Sequence, residues 1–410
     1  MKEIKNFIMF LVLSLPMLVL GQSLEDYQKI AAENNPGLQA RYKEFKAAME
    51  KVPQVSSLPD PTLSFGYFIS PVETRVGPQQ AKFSLSQMFP WFGTLEAQGN
   101  AAALMAQAKY QNFLDARNKL FYQVADAYFP LYELEEQLRL QRENLEILES
   151  FMTLAQSKYE NNQSSMVDVL RVDIMIKDAR TNINILEDKR QPLLTRFNNQ
   201  LNRDETMAVS IVDTIKVSPL PDGYHRDSLL VNHPLLEELI LKEEAMKEQE
   251  KAAIRRGLPS FGLGLDYVLV GKRTDMDIAD NGQDVVMPML TMSLPIFRGK
   301  YKAAKEEARI MQEAYRDMRQ ETANNLGSAY EMVWYEIEKQ RQNLDLYREQ
   351  IDETRQALNL LFSSYSNNGD DFEEVLRMQQ QLLKYQMMQA TSLSEYKIAE
   401  AKLNYITSKN

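Results

Sequence analysis

The chain states the same pattern twice, and that repetition limits its possible folds more than any other feature. Tyr159, Asn161, Asn162, Val169, Leu170 and Arg171 return as Tyr365, Asn367, Asn368, Val375, Leu376 and Arg377, 206 positions later. Other echoes keep the same order along the chain. Asn35-Pro36 returns as His233-Pro234, Leu58-Pro59 as Leu258-Pro259, and Pro90-Trp91-Phe92-Gly93 as Pro295-Ile296-Phe297-Arg298-Gly299. A fixed internal period marks units that cannot bury their apolar faces alone and must pack on one another. Two repeats are expected, 22–203 and 224–410, joined by a link over 204–223 that carries the alternating run Val209, Ile211, Ile215, Val217 and reads as a small strand.

With 44% hydrophobic residues in 410, the chain can bury a sizeable core. Its 15 glycines and 16 prolines cluster in a few places, leaving stretches too long and unbroken for the helices of a compact globule. A net charge of −10 provides no basic surface for nucleic acid. There is no cysteine and there are only two histidines, so nucleophilic triads, Cys/His metal sites, disulfides and a lipidated cysteine have no residues to form from. Gly262 and Gly264 lie in a strand pattern with no phosphate-binding helix after them. The 21 methionines, Met287, Met289 and Met292 among them, raise soft-metal passage, but methionine as core filler is the reading adopted. No catalytic, cofactor or metal residue is expected.

Residues 1–21 read as a cleavable export signal: Lys2 and Lys5, an apolar stretch from Phe7 to Leu20, and Gly21 before the cut. Beyond Leu20 no apolar run is long enough for a membrane helix. A bilayer could be crossed only with strands.

Four segments have the period of two that such strands need. They are expected at about 62–70, 80–88, 261–270 and 285–294. Leu63, Phe65, Tyr67 and Ile69 oppose Ser64, Gly66 and Ser70; Phe83 and Leu85 oppose Lys82 and Ser84; Leu263, Leu265 and Tyr267 oppose Gly262, Gly264 and Asp266. Phe89, Trp91, Phe92 and Phe297 stand at the strand ends, as aromatic residues do at a membrane surface. Four strands cannot close a barrel, and open edges in hydrocarbon leave backbone groups unpaired. Closure must come from further copies of the chain; two or three would both supply enough strands.

The rest reads as helix with apolar residues at alternating steps of three and four, the spacing of coiled-coil packing. Leu131, Leu134, Leu138, Leu145, Leu148, Met152, Ala155 and Tyr159 form one such seam, and Val169, Val172, Ile176, Ala179 and Ile183 its partner. In the second repeat, Leu344, Tyr347, Ile351, Leu358, Leu361 and Tyr365 face Val375, Met378, Leu382 and Tyr385. Helical hairpins are expected over about 94–203 and 298–408, with a first arm of some 65 residues, roughly 100 Å at 1.5 Å per residue. Pro130 is expected to kink or interrupt it. Shorter helices are expected over 22–50 and 224–257.

The order of helix, strand pair and long helical hairpin, given twice, resembles the TolC family of outer-membrane efflux proteins over essentially the whole mature chain. Asn35-Pro36, Pro90-Trp91-Phe92-Gly93 and the turn from Tyr159 to Leu170 carry the resemblance. It implies a homotrimer with a 12-stranded barrel, a periplasmic α-helical tunnel, an adaptor and an inner-membrane transporter as partners, and a passive exit duct as the function. In that family, carboxylates after the second turn narrow the tunnel entrance. Glu374 takes the place of the first, while Arg377 stands where some members have a second acid. Asp168, Arg171, Asp370, Asp371, Glu373, Glu374 and Arg377 are the gate candidates. The alternative is a periplasmic adaptor, which needs only one helical hairpin.

Overall fold

The computed structural model describes residues 23–211, 217, 232–368 and 372–409. Four helices and strands of the first repeat lead into its hairpin: α1 (Leu24–Asn34), α2 (Pro36–Ser56), β1 (Thr62–Thr74) and β2 (Gly77–Phe89), then α3 (Thr94–Glu160) and α4 (Met166–Gln200). The second repeat supplies α5 (Pro234–Arg256), β3 (Ser260–Val270), β4 (Val285–Ser293), α6 (Gly299–Asn368) and α7 (Phe372–Thr407). The export signal lies outside the described residues, as does most of the link expected to hold a strand; its described start, 204–211, holds a turn and irregular backbone.

Three expectations are corrected. The helical segment before the first strands runs past 50 to Ser56, as two helices, because Asn35 takes an extended backbone (ψ 119°) ahead of Pro36 and ends α1. Of the two effects expected of Pro130, interruption does not occur: α3 continues through it for 67 residues in all. β1 runs past Ile69 to Thr74, because a register shift between Tyr67 and Val72 gives Pro71 a place where it need not donate to the ladder.

The compact units cut across the repeats. Residues 40–115 and 231–325 form a sheet unit; the described parts of 1–39, 116–230 and 326–410 form a hairpin unit. Each repeat contributes its strands and the first part of its long helix to the sheet unit and the rest of its helical hairpin to the other, so like elements share a unit.

In the sheet unit the strands lie in the order β1-β2-β3-β4, antiparallel throughout. The β2/β3 pairing joins the repeats and aligns Phe83 with Tyr267 and Leu85 with Leu265. Phe65 stands opposite Phe83, ring centroids 5.0 Å apart.

In the hairpin unit the expected seams form the core. Leu148, Phe151 and Ala155 of α3, Val169, Val172, Ile176 and Ala179 of α4, Tyr365 of α6, and Phe372, Val375 and Leu376 of α7 make one buried cluster. Leu134, Leu138 and Ile183 make another. Tyr159 is the exception, exposed at the end of its seam. Tyr27 of α1 is buried edge-on against Phe197 and accepts a hydrogen bond from the Ser210 backbone N–H at 2.8 Å. Among the described residues no helix is long and apolar enough to cross a membrane.

Candidate functional site: the hairpin turns and the sheet

The first turn is built by residues that tolerate its geometry. Asn162 has φ 58°, and the backbone N–H groups of Asn162 and Gln163 donate to the carbonyls of Tyr159 and Lys158 at 3.0 and 2.8 Å. This is a Schellman closure with asparagine in the left-handed position. Ser165 then caps α4, its hydroxyl accepting from Val167 N–H at 3.2 Å. Of the second turn, Asp370 and Asp371 lie outside the described residues.

The remaining gate candidates separate into two kinds. Arg377 stays on its own helix, its Nε donating to Glu374 at 3.0 Å. Arg171 reaches across: its guanidinium is 2.7 Å from Glu373 of the other hairpin and 3.6 Å from Asp168 of its own. Asp168 also faces Tyr365, whose hydroxyl pKa is raised, by burial first and by that negative charge second.

Lys158 belongs with them and had no signal in the sequence beyond its place in the repeated stretch. Its Nζ donates to the Tyr365 carbonyl at 2.6 Å and to the Ser366 carbonyl at 3.5 Å, and lies 4.5 Å from the Tyr365 ring centroid. The side chain is buried although charged. Tyr365 in turn stacks on Phe372 at the start of α7, centroids 4.4 Å apart.

The sheet inverts the burial of a water-soluble protein. Ile69 is 92% exposed, Leu290 76% and Leu63 70%, while Asp266, on the opposite face, is fully covered. Asp266 pairs with Lys82 of the neighbouring strand. Beside it, Gly262 and Gly264 leave room for Met88 and Met289 to lie across β3; a Cβ on Gly262 would meet the Met88 sulfur at 2.5 Å. Met287 and Met289 therefore share the face of Asp266, and Met292 the apolar face. Of the end aromatics, Phe92 and Phe297 stand out from the surface, whereas Trp91 packs on Phe261, centroids 5.9 Å apart. Large apolar side chains outward and a charged pair inward is the pattern of a strand set with lipid on one side.

A family described as outer membrane efflux protein matches residues 28–199 and again 226–408, once per repeat. The chain belongs to this family. Membership sets aside the adaptor alternative. Among relatives, the pyoverdine export outer membrane protein OpmQ of Pseudomonas putida is 23% identical over 319 residues. That alignment covers 76% of this chain and 66% of the relative, just under two thirds of its length. Among solved structures, CusC superimposes with a TM-score of 0.78 at 15% identity, covering 95% of this chain and 92% of that one. The outer membrane protein VceC of Vibrio cholerae has a TM-score of 0.73 at 16% identity, covering 94% and 95%. At those identities the likeness establishes the fold, and the fold is that of the outer-membrane channels.

Proposed function

We propose that this family member is the passive exit duct of a tripartite efflux system. Three copies close a 12-stranded barrel in the outer membrane, and their helical hairpins form a periplasmic tunnel that meets an inner-membrane pump through an adaptor. The observation that carries this reading is the sheet: it presents an apolar face outward, and among the described residues β1 and β4 each keep one edge without a strand partner. In hydrocarbon each unpaired backbone group costs several kcal/mol, so such a sheet is stable there only when further copies complete it. Transport energy comes from the pump, since the candidate residues hold no catalytic group.

The internal repeat supports assembly from copies. Leu376 and Tyr365 of the second hairpin are buried against the first hairpin, whereas their counterparts Leu170 and Tyr159 are exposed. A second copy presenting its second hairpin to the first hairpin of this one would cover them. Passage is then controlled where the turns of the hairpins meet, by Arg171, Asp168, Glu373, Glu374 and Arg377, with Asp370 and Asp371 of the second turn as further candidates from the sequence. Phe89, Trp91, Phe92 and Phe297 anchor the barrel at the lipid surface.

The test is conductance of the purified channel in planar bilayers. Arg171→Ala is expected to raise it, because it breaks the pair that joins the two hairpins; Arg377→Ala is expected to change it less, because its pair lies within one helix. A channel that conducts equally with and without Arg171 would remove that residue from the gate, and a chain recovered as a soluble monomer would overturn the duct.

A further inference from the structure

We propose that Lys158 is a latch that holds the two hairpins of one subunit together at the tunnel end, and that opening requires its release. The inference rests on the gate reading and adds to it a residue that acts through backbone carbonyls, not through an acid.

The terminal carbonyls of a helix carry partial negative charge and need donors. α6 has no basic residue in its own last turn. Lys158, in the last turn of α3, supplies the charge from the other repeat: its Nζ sits 2.6 Å from the Tyr365 carbonyl and 3.5 Å from that of Ser366. The ammonium also rests 4.5 Å from the centre of the Tyr365 ring, whose far neighbour is Phe372 on α7. One side chain of the first hairpin thus grips the end of α6 directly and the start of α7 through stacked rings. The hairpins cannot part here without exposing a buried ring pair and stripping a buried ammonium of its acceptors.

The repeat also says where the latch is missing. The residue 206 positions after Lys158 is Ser364, too short to reach a neighbouring helix end. In an assembly of copies, the seam within each subunit is latched and the seam between subunits is not. The within-subunit seam is then the last to open.

The experiment measures single-channel conductance and open probability of the full-length assembled channel for Lys158→Met, Lys158→Arg and Arg171→Ala. Lys158→Met keeps the length and apolar stem and removes the donor; open probability is expected to rise roughly tenfold, the factor that loss of one hydrogen bond from a charged donor supplies. Lys158→Arg, which still donates, is expected to stay near wild type. Unchanged gating in Lys158→Met while Arg171→Ala opens the channel overturns the latch and leaves the gate; unchanged gating in both removes the gate reading itself. Should Lys158→Met fail to assemble, the absence of native cysteines allows a second measurement. Lys158→Cys with Ser366→Cys, joined by a short bis-maleimide, is expected to hold conductance at the closed level, and a crosslinked channel that conducts like the unlinked one refutes the proposal.

Discussion

Among single residues, His233 shows how one position can carry both a local structure and a pH dependence. It is the N-cap of α5, its Nδ1 accepting from Leu235 N–H at 3.2 Å ahead of Pro234, as the Asn35 side chain accepts from Leu38 N–H at 3.1 Å ahead of its own proline helix. Burial lowers its pKa from 6.5 to about 4. The folded state therefore keeps the neutral ring while the unfolded chain takes up a proton below its ordinary value. Stability is complete above pH 6.5, falls as pH drops from there and reaches its floor below pH 4. Between pH 7 and pH 5 the loss is expected to be on the order of 2 kcal/mol. His233→Asn retains a capping acceptor and should flatten that slope; thermal unfolding in detergent at the two pH values measures it. A second residue-scale expectation concerns Asn162, held at φ 58°. Asn162→Val should destabilise the first turn by about 1–2 kcal/mol, read from local hydrogen exchange, whereas glycine there should be neutral or better. Both positions were visible in the sequence as helix punctuation. The pairing of Lys158 with the end of α6 was not, because nothing local distinguishes a lysine that will be buried from one that will be solvated.

Taken element by element, the strands were legible because a period of two leaves a mark that needs no partner: Leu63, Phe65, Phe83, Leu85, Leu263, Leu265, Tyr267, Leu290 and Met292 fall on one face in the observed register. What the pattern could not say was which face is covered. One face holds the Lys82–Asp266 pair with Asp266 fully covered, and the other holds the exposed Leu63, Phe65 and Leu290. An arginine on the exposed face should accordingly be far less tolerated than one on the other: Leu290→Arg is expected to cost about 2–4 kcal/mol near the bilayer midplane, and Ser84→Arg much less. The fraction of chain folded into outer-membrane vesicles, for each variant, decides it; equal insertion would mean the exposed face does not meet lipid. Helix length was legible: an arm of some 65 residues was expected, and α3 runs for 67. A proline in a 67-residue helix costs one local hydrogen bond, and the packing on either side of Pro130 keeps the helix running.

For the whole molecule, the two copies of the repeated motif have different fates. Leu376 is buried within the chain and Leu170 is half exposed, with Val167 and Ile174 beside it on the same face of α4. Leu376→Glu is expected to disrupt the subunit itself, whereas Leu170→Glu should leave the subunit folded and weaken assembly. Native mass spectrometry in detergent separates the two: retention of the full oligomer by Leu170→Glu would remove this face from the interface. The repeat, the element types and the coiled-coil seams could be read from the residues alone, since periodicity and turn chemistry are local and survive without neighbours. It took the packed chain to show that like elements of the two repeats lie together, that Arg171 crosses between hairpins while Arg377 stays on its own helix, and that Lys158 closes another helix. Those outcomes depend on which surfaces meet, and residues as far apart as Lys158 and Tyr365 are brought together by burial and electrostatics that no single stretch of sequence contains.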